Sequence, residues 1–210
     1  TGLNQHTGNW PGKTVINARG NYQYKGKNFI LVDIPGTYSL MANSQEEEVA
    51  RDFICFGDPD VTVIVLDATC LERNLNLVLQ TLEITNRVVV CVNLLDEARR
   101  KKIHVNLGAL SKMLHVQVVG TSAVSEQGLD ELMEALYAYS PSDERLTITY
   151  PQPIEEAIEA ITPHLASLLG ERMNVRWTAI KLLDGDVSLL DSIQKYLGFD
   201  LIENEALMHE

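Results

Sequence analysis

The chain has 210 residues, 45% of them hydrophobic, and a formal net charge of -12. That length and apolarity suit one sizeable core with a small appendage, and the acidic balance argues against nucleic acid or an anionic membrane surface as main partner. No run approaches the roughly 18 apolar residues of a membrane span, no signal-peptide pattern opens the sequence, and the five scattered histidines suggest no metal site. Cys55, Cys70 and Cys91 lack C-x-x-C spacing and read as buried small hydrophobes in a reducing compartment, not as a disulfide frame or zinc site.

The first distinctive stretch is Gly8 to Thr14, G-N-W-P-G-K-T. It invites comparison with the phosphate-binding P-loop, G-x-x-x-x-G-K-[ST], but the spacer between its glycines is one residue short. A P-loop follows a buried strand and opens a helix, whereas TGLNQHT is polar. What comes next, TVINARGNYQYKGKNFILVDIPG, reads as a β-hairpin turning at Lys25-Gly26-Lys27. Trp10-Pro11 also places bulk and a missing N–H where donors are needed. The stretch is not a P-loop.

Four apolar runs, FILVD from Phe29, VTVIVLDA from Val61, VVVCVN from Val88 and VQVVGTSA from Val116, predict strands buried on both faces. Between them, Glu46 to Phe56, Leu71 to Thr85, Asn106 to Leu114 and Gly128 to Tyr139 carry helical apolar spacing, as at Leu75, Leu79 and Leu82. The alternation predicts an α/β, doubly wound sheet. Around Ser140 to Pro153 the composition shifts to a proline-containing linker. Beyond it, Ile154, Ala157, Ile158, Ile161, Leu165, Leu168 and Leu169 form a helical stripe with Pro163 as a kink position, followed by helical pieces at Val175 to Leu183 and Val187 to Leu197. The expected division is residues 1–140, a linker at 141–153, and an all-α domain at 154–210.

Each predicted strand runs into a polar group: Asp33, Asp67, Asn93, then Thr121 and Ser122. Open α/β sheets bind ligands at the carboxyl ends of their strands, so these groups converge on one site. Asp33-Ile34-Pro35-Gly36 is D-x-x-G, which in GTPases holds magnesium through a water and meets the γ-phosphate with the glycine N–H. Asn93-Leu94-Leu95-Asp96 is N-x-x-D, whose aspartate can accept from guanine N1 and N2, a pairing adenine lacks. Thr121-Ser122-Ala123 offers a backbone N–H to guanine O6. Alone, each could be a turn or helix cap; three in order at strand ends weigh more.

These motifs, DIPGTYSL after a hairpin, GNWPGKT upstream, NLLDEA and GTSAVSEQGLDEL, together resemble the cytosolic GTPase domain of the ferrous iron transport protein B (FeoB) family, and the helical tail resembles that family's guanine-dissociation-inhibitor-like domain. The resemblance implies a P-loop-GTPase-like sheet and a GTP-hydrolysing switch using GTP/GDP and Mg2+, with K+ as an activating ion in some members. It casts the opening stretch, with Gly12, as switch I. Thr14 takes the place of the magnesium-coordinating, γ-phosphate-sensing threonine, and Asp33 with Gly36 belongs to switch II. Asn93, Leu94 and Asp96 read guanine, and Ser122, Ala123 and Val124 form the last base-contacting loop. The backbone around Asn9 and Trp10 matches the potassium loop. The family's first strand and P-loop do not appear in the sequence, so the expectation is an N-terminally incomplete chain, short by roughly 20–25 residues.

Thr37 stands where many GTPases carry a water-orienting glutamine, so slow intrinsic hydrolysis is expected. The resemblance further implies a membrane permease partner within the same full-length protein, a place at the cytoplasmic face of the bacterial inner membrane, and compatibility with homo-oligomers. Two other readings compete. A ribosome-assembly GTPase would share the motifs but usually carries a basic appendage, whereas PIEEAIEAI and LIENEALMHE are acidic. A non-catalytic interaction module would bind a partner through the helical tail and no nucleotide.

Overall fold

The computed structural model describes residues 6–9, 16–41, 44–140 and 146–201. They fall into two compact units, one of residues 1–54 with 58–146 and one of residues 55–57 with 147–210.

The first unit opens with an antiparallel sheet of β1 (His6–Asn9), β2 (Ile16–Tyr24) and β3 (Lys27–Asp33). The predicted hairpin is present. Tyr24 pairs with Lys27, and Lys25 and Gly26 both take positive φ (47° and 79°), the twist that two-residue hairpin turns favour. Strand β1 was not expected from its polar sequence. Its pairing, His6 with Arg19 through Asn9 with Ile16, rests on backbone bonds that an edge strand can make without an apolar alternation.

The second sheet is parallel, in the order β4 (Thr62–Asp67), β5 (Val88–Asn93), β6 (Gln117–Gly120). The helices in this part of the chain are α1 (Gln45–Phe56), α2 (Leu71–Ile84), α3 (Leu95–Arg100), α4 (Leu107–Leu114) and α5 (Leu129–Tyr137), of which α2, α4 and α5 pack on the parallel strands. Val88, Val90 and Val92 of β5 pack with Val78 and Leu82 of α2, Ala98 and Leu114, while Val89 packs with Val119, Ala135 and Leu136. Burial of both faces is why VVVCV reads as an unbroken apolar run. Helix α3 was missed because LDEARR has no apolar period.

The α/β arrangement is as expected, but the strands form two sheets rather than one: β3 and β4 share no ladder. Among the described residues β4 has a strand neighbour on one side only, and its Val65 is 59% exposed although Ile64 and Leu66 are buried. The cysteine expectation holds only for Cys91. Cys55 is half-buried and Cys70 exposed, since Cys70 lies beyond β4 at the N-cap of α2 and not in the sheet.

The second unit contains α6 (Gln152–Leu169), α7 (Val175–Asp184) and α8 (Val187–Leu197). Pro163 lies inside α6. Asn174 and Asp186 cap α7 and α8 by accepting from Trp177 N–H at 3.2 Å and Leu189 N–H at 3.1 Å. Ile158, Leu165, Leu169, Trp177, Leu189 and Ile193 are among its buried apolar residues. Glu155 accepts from Arg176 Nη1 and Nη2 at 2.8 and 2.7 Å and from Tyr150 N–H at 2.7 Å. The Arg176 bond, then the Tyr150 amide, brings its carboxyl down to about 2.

Candidate functional site

The parallel register sets Asp67 opposite Asn93 and Val92 opposite Gly120, so the ends of β4, β5 and β6 come out together. Asp67 is engaged in its own turn. Its Oδ1 accepts Thr69 N–H at 2.7 Å, closing the turn into α2, and that bond lowers its pKa. Beyond Asn93, Leu94 takes the left-handed conformation (φ 61°), and the chain turns sharply into α3. Beyond β6, Thr121 and Ser122 are buried, and Ala123–Ser125 forms a 3-10 turn.

Hydrogen bonds fasten these two loops together. Asn93 Oδ1 accepts from Thr121 Oγ1 at 3.1 Å and from Ala123 N–H at 3.1 Å. Thr121 Oγ1 lies 3.3 Å from the buried Cys91 thiol, whose pKa is raised by burial. Ser122 Oγ accepts Asp96 N–H at 3.0 Å, Leu95 N–H donates to Thr121 O at 3.1 Å, and Ser122 N–H donates to Gln127 O at 2.9 Å. With both acceptor sites of Asn93 Oδ1 occupied, its amide NH2 is left as a donor. The Asp96 carboxylate is half-exposed and, among the described residues, has only a long 3.5 Å contact to Arg100, which bonds Glu97 more closely at 2.6 Å. Thus Asn93, Asp96, Ser122 and Ala123 come together, while Val124 stands beside them, 92% exposed. The Ala123 amide is already given to Asn93.

Two glycines that the motif reading did not single out make this junction possible. A Cβ on Gly128 (φ +78°) would lie 2.1 Å from Gly120 O, and one on Gly120 would lie 2.5 Å from Leu95 Cδ1 and 2.6 Å from Leu107 Cδ1. A glycine inside the apolar run VQVVG was the available signal.

On the other side, Asp33 ends β3, paired with Ala18, and is exposed. Gly36 is exposed too, with open space around it. Thr37 Oγ1 donates to Ser39 O and accepts Ser39 N–H at 3.1 Å. Trp10, Gly12 and Thr14 lie outside the described residues, and of Asn9 only the backbone, at the end of β1, is described.

Known proteins resemble this chain in sequence and fold. Residues 1–136 match the family described as ferrous iron transport protein B, and residues 150–208 match the FeoB cytosolic helical domain. The chain belongs to the FeoB family. It is 33% identical over 191 residues, 89% of its length, to the Fe(2+) transporter FeoB of Escherichia coli K12 and equally to that of Salmonella typhimurium, and it spans about a quarter of the length of these relatives (25%). The cytosolic domain of Thermotoga maritima FeoB in a GDP form superposes with a TM-score of 0.80 at 34% identity, covering 100% of this chain and 83% of that one. Its GMPPNP form gives 0.81 at 34%, covering 98% and 81%. The Legionella pneumophila FeoB cytosolic domain gives 0.79 at 28%, covering 93% and 81%. The fold is therefore the α/β P-loop-GTPase-like fold with a C-terminal helical domain. Among the described residues no helix is long and apolar enough to cross a membrane.

Proposed function

We propose that the chain is a GTP-binding and GTP-hydrolysing regulatory domain of a ferrous iron transporter, selecting guanine with Asn93 and Asp96 and switching through residues 8–14 and 33–40. The observation that carries this reading is the fastening of the Asn93–Asp96 loop to the Thr121–Val124 loop. It leaves one amide donor on Asn93 and one half-exposed carboxylate on Asp96, a donor and an acceptor that suit guanine N7 and the guanine N1 and N2 hydrogens. Adenine cannot satisfy that carboxylate, so ATP would leave it unpaired. Leu94 sets the corner between the two residues, Ser122 holds Asp96 by its backbone, and the Val124 amide takes guanine O6, because Ala123 N–H is engaged within the loop.

On the phosphate side, Gly36 N–H meets the γ-phosphate; an incoming water attacks its phosphorus, the bond to the β–γ bridging oxygen breaks, and GDP and inorganic phosphate leave, the phosphate keeping the water's oxygen. Asp33, exposed and without an ion pair among the described residues, fits magnesium, which accepts one or two protein oxygens and otherwise phosphate and water. Thr14 would hold the ion directly and Asp33 through a water, and magnesium bound there would supply charge neutralisation on the phosphate oxygens. Potassium, where used, is held by the backbone around Asn9 and Trp10. The Thr37 hydroxyl is committed to Ser39, so it does not orient the attacking water, and intrinsic hydrolysis is slow. Loss of the γ-phosphate frees the segments around Thr14 and Gly36. The helical unit relays this change to a membrane permease at the cytoplasmic face of the bacterial inner membrane, an arrangement compatible with homo-oligomers.

A fluorescent-GDP titration with unlabelled GTP and ATP as competitors tests the reading. Displacement by GTP and not by ATP is expected. Equal displacement by ATP, or no binding by a folded sample, overturns it and favours an interaction module.

A further inference from the structure

We infer that Gln80 of α2 is a positioning residue for the switch loop: by holding Ser39 and Leu40 against the helix, it presents Gly36 to the γ-phosphate. The inference rests on the nucleotide reading above. Residues 34–41 form no helix or strand, so their amides need acceptors from elsewhere. Three successive amides find side-chain oxygens. Ser39 N–H donates to Thr37 Oγ1 at 3.1 Å, Leu40 N–H to Gln80 Oε1 at 2.7 Å, and Met41 N–H to Ser39 Oγ at 3.1 Å. Two of these acceptors belong to the loop itself; the third, Gln80, belongs to α2 and ties it to a rigid element. The Ser39 hydroxyl, having accepted from Met41, also points its own hydrogen to Gln80 Oε1 at 3.4 Å.

The same face of α2 makes a second contact. Arg73, two turns before Gln80, sets its guanidinium 4.1 Å from the centroid of the otherwise exposed Tyr38 ring. Leu40 is buried at 7% exposure, so the clamped amide sits where water is scarce. Gly36 has no side chain to anchor it and nothing within 4 Å of its Cβ position. Its placement is therefore set by its two flanks, the end of the β3 ladder at Asp33 and the clamp at Ser39–Leu40.

Gln80 acts here only as an acceptor, which glutamate can replace and methionine cannot. Amide hydrogen exchange at Leu40 reads the bond directly, and the ratio of GMPPNP to GDP affinity reads the presentation of Gly36. In the 210-residue chain, Gln80→Met is expected to speed Leu40 exchange and weaken GMPPNP each by about tenfold, the size of one lost hydrogen bond, with GDP affinity within about twofold. Gln80→Glu should return both to within about twofold of the parent. Unchanged Leu40 exchange in the Met variant overturns the inference. So does faster exchange with an unchanged GMPPNP/GDP ratio, or equal weakening of both nucleotides, which would mark Gln80 as merely structural. If the unsubstituted chain binds neither nucleotide, the functional reading itself fails and the inference goes with it; binding with an unmoved ratio fails the inference alone.

Discussion

At the proposed base side of the first unit, the Asn93–Asp96 and Thr121–Gln127 loops are joined by side-chain and backbone bonds, and Thr121 and Ser122 in their midst are 2% and 1% exposed. At the proposed phosphate side, Asp33 and Gly36 are exposed, and the loop after them is tied to α2 through Gln80 and the Arg73–Tyr38 contact. The contrast matches the tasks proposed for each side. Reading a base requires one arrangement held throughout the cycle, and buried, mutually satisfied polar groups provide it. Sensing a phosphate requires an element of low local stability whose balance one ligand contact can tip.

The comparison predicts unequal responses to the same small insult. Gly128→Ala should be the most damaging change, because its Cβ would meet a backbone oxygen, Gly120 O, at 2.1 Å while φ is held at +78°. A loss of about 3 kcal/mol or more in urea unfolding is expected, together with loss of guanine discrimination. An unchanged midpoint would mean that the Gly120–Gly128 approach is not made in solution. Next in size is Asp96→Asn, which leaves the backbone bond to Ser122 in place and alters only the exposed carboxylate. GTP should weaken by about 100-fold in competition titrations while xanthosine triphosphate gains. Retained GTP preference would remove Asp96 from the base site.

The meeting of Asn93, Asp96 and Ser122 was legible because strand ends and short motifs coincide there: all three follow apolar runs that read as buried strands. What holds them in place was not legible. Gly120 and Gly128 gain their meaning from a backbone approach across residues far from any fixed motif spacing, and the Cys91–Thr121 contact joins β5 to the loop after β6. Helix α3 escaped because a six-residue segment starting from a left-handed leucine has no periodicity to read. On the phosphate side, Arg73 and Gln80 sit on the polar face of a helix recognised by Leu75, Leu79 and Leu82, and solvent would have been the simpler partner for both. At Asp67 the strand-end residue also closes its own turn, which the sequence pattern did not indicate.

Gly36→Ala makes the same chemical change as Gly128→Ala in open space. Its unfolding midpoint should stay within about 0.5 kcal/mol of the parent, since nothing lies within 4 Å and its φ is outside the left-handed region. A larger loss would show that this loop is packed, and would erase the contrast between the two sides.

The smallest effect is expected where the two sides are physically linked. The hairpin that carries β3 reaches α5, the helix following the base-side loop, through Glu134, whose Oε2 accepts from Tyr24 Oη at 3.1 Å and from Lys25 Nζ. The Lys25 bond, then the Tyr24 bond, lowers the Glu134 carboxyl below its ordinary 4.5, and the Glu134 bond raises Lys25 above 10.5. A lowered carboxyl favours the folded state at pH above 4.5 and loses that effect as pH falls below it; a raised ammonium favours it below 10.5 and loses the effect above. The tie is therefore strongest between these values, and being exposed it is screened by salt. Glu134→Gln should lower the thermal midpoint at pH 7 and low salt by only about 1–2 °C, with the difference closing in high salt and as the parent is acidified below its folded carboxyl value. The GMPPNP/GDP ratio should not move, because the tie grips the hairpin at its turn, while Asp33 lies at the opposite end of β3, already fixed by its ladder with β2. A shifted ratio would mean that strain passes along β3 from α5 to the switch loop, and that the base and phosphate sides are one mechanical element.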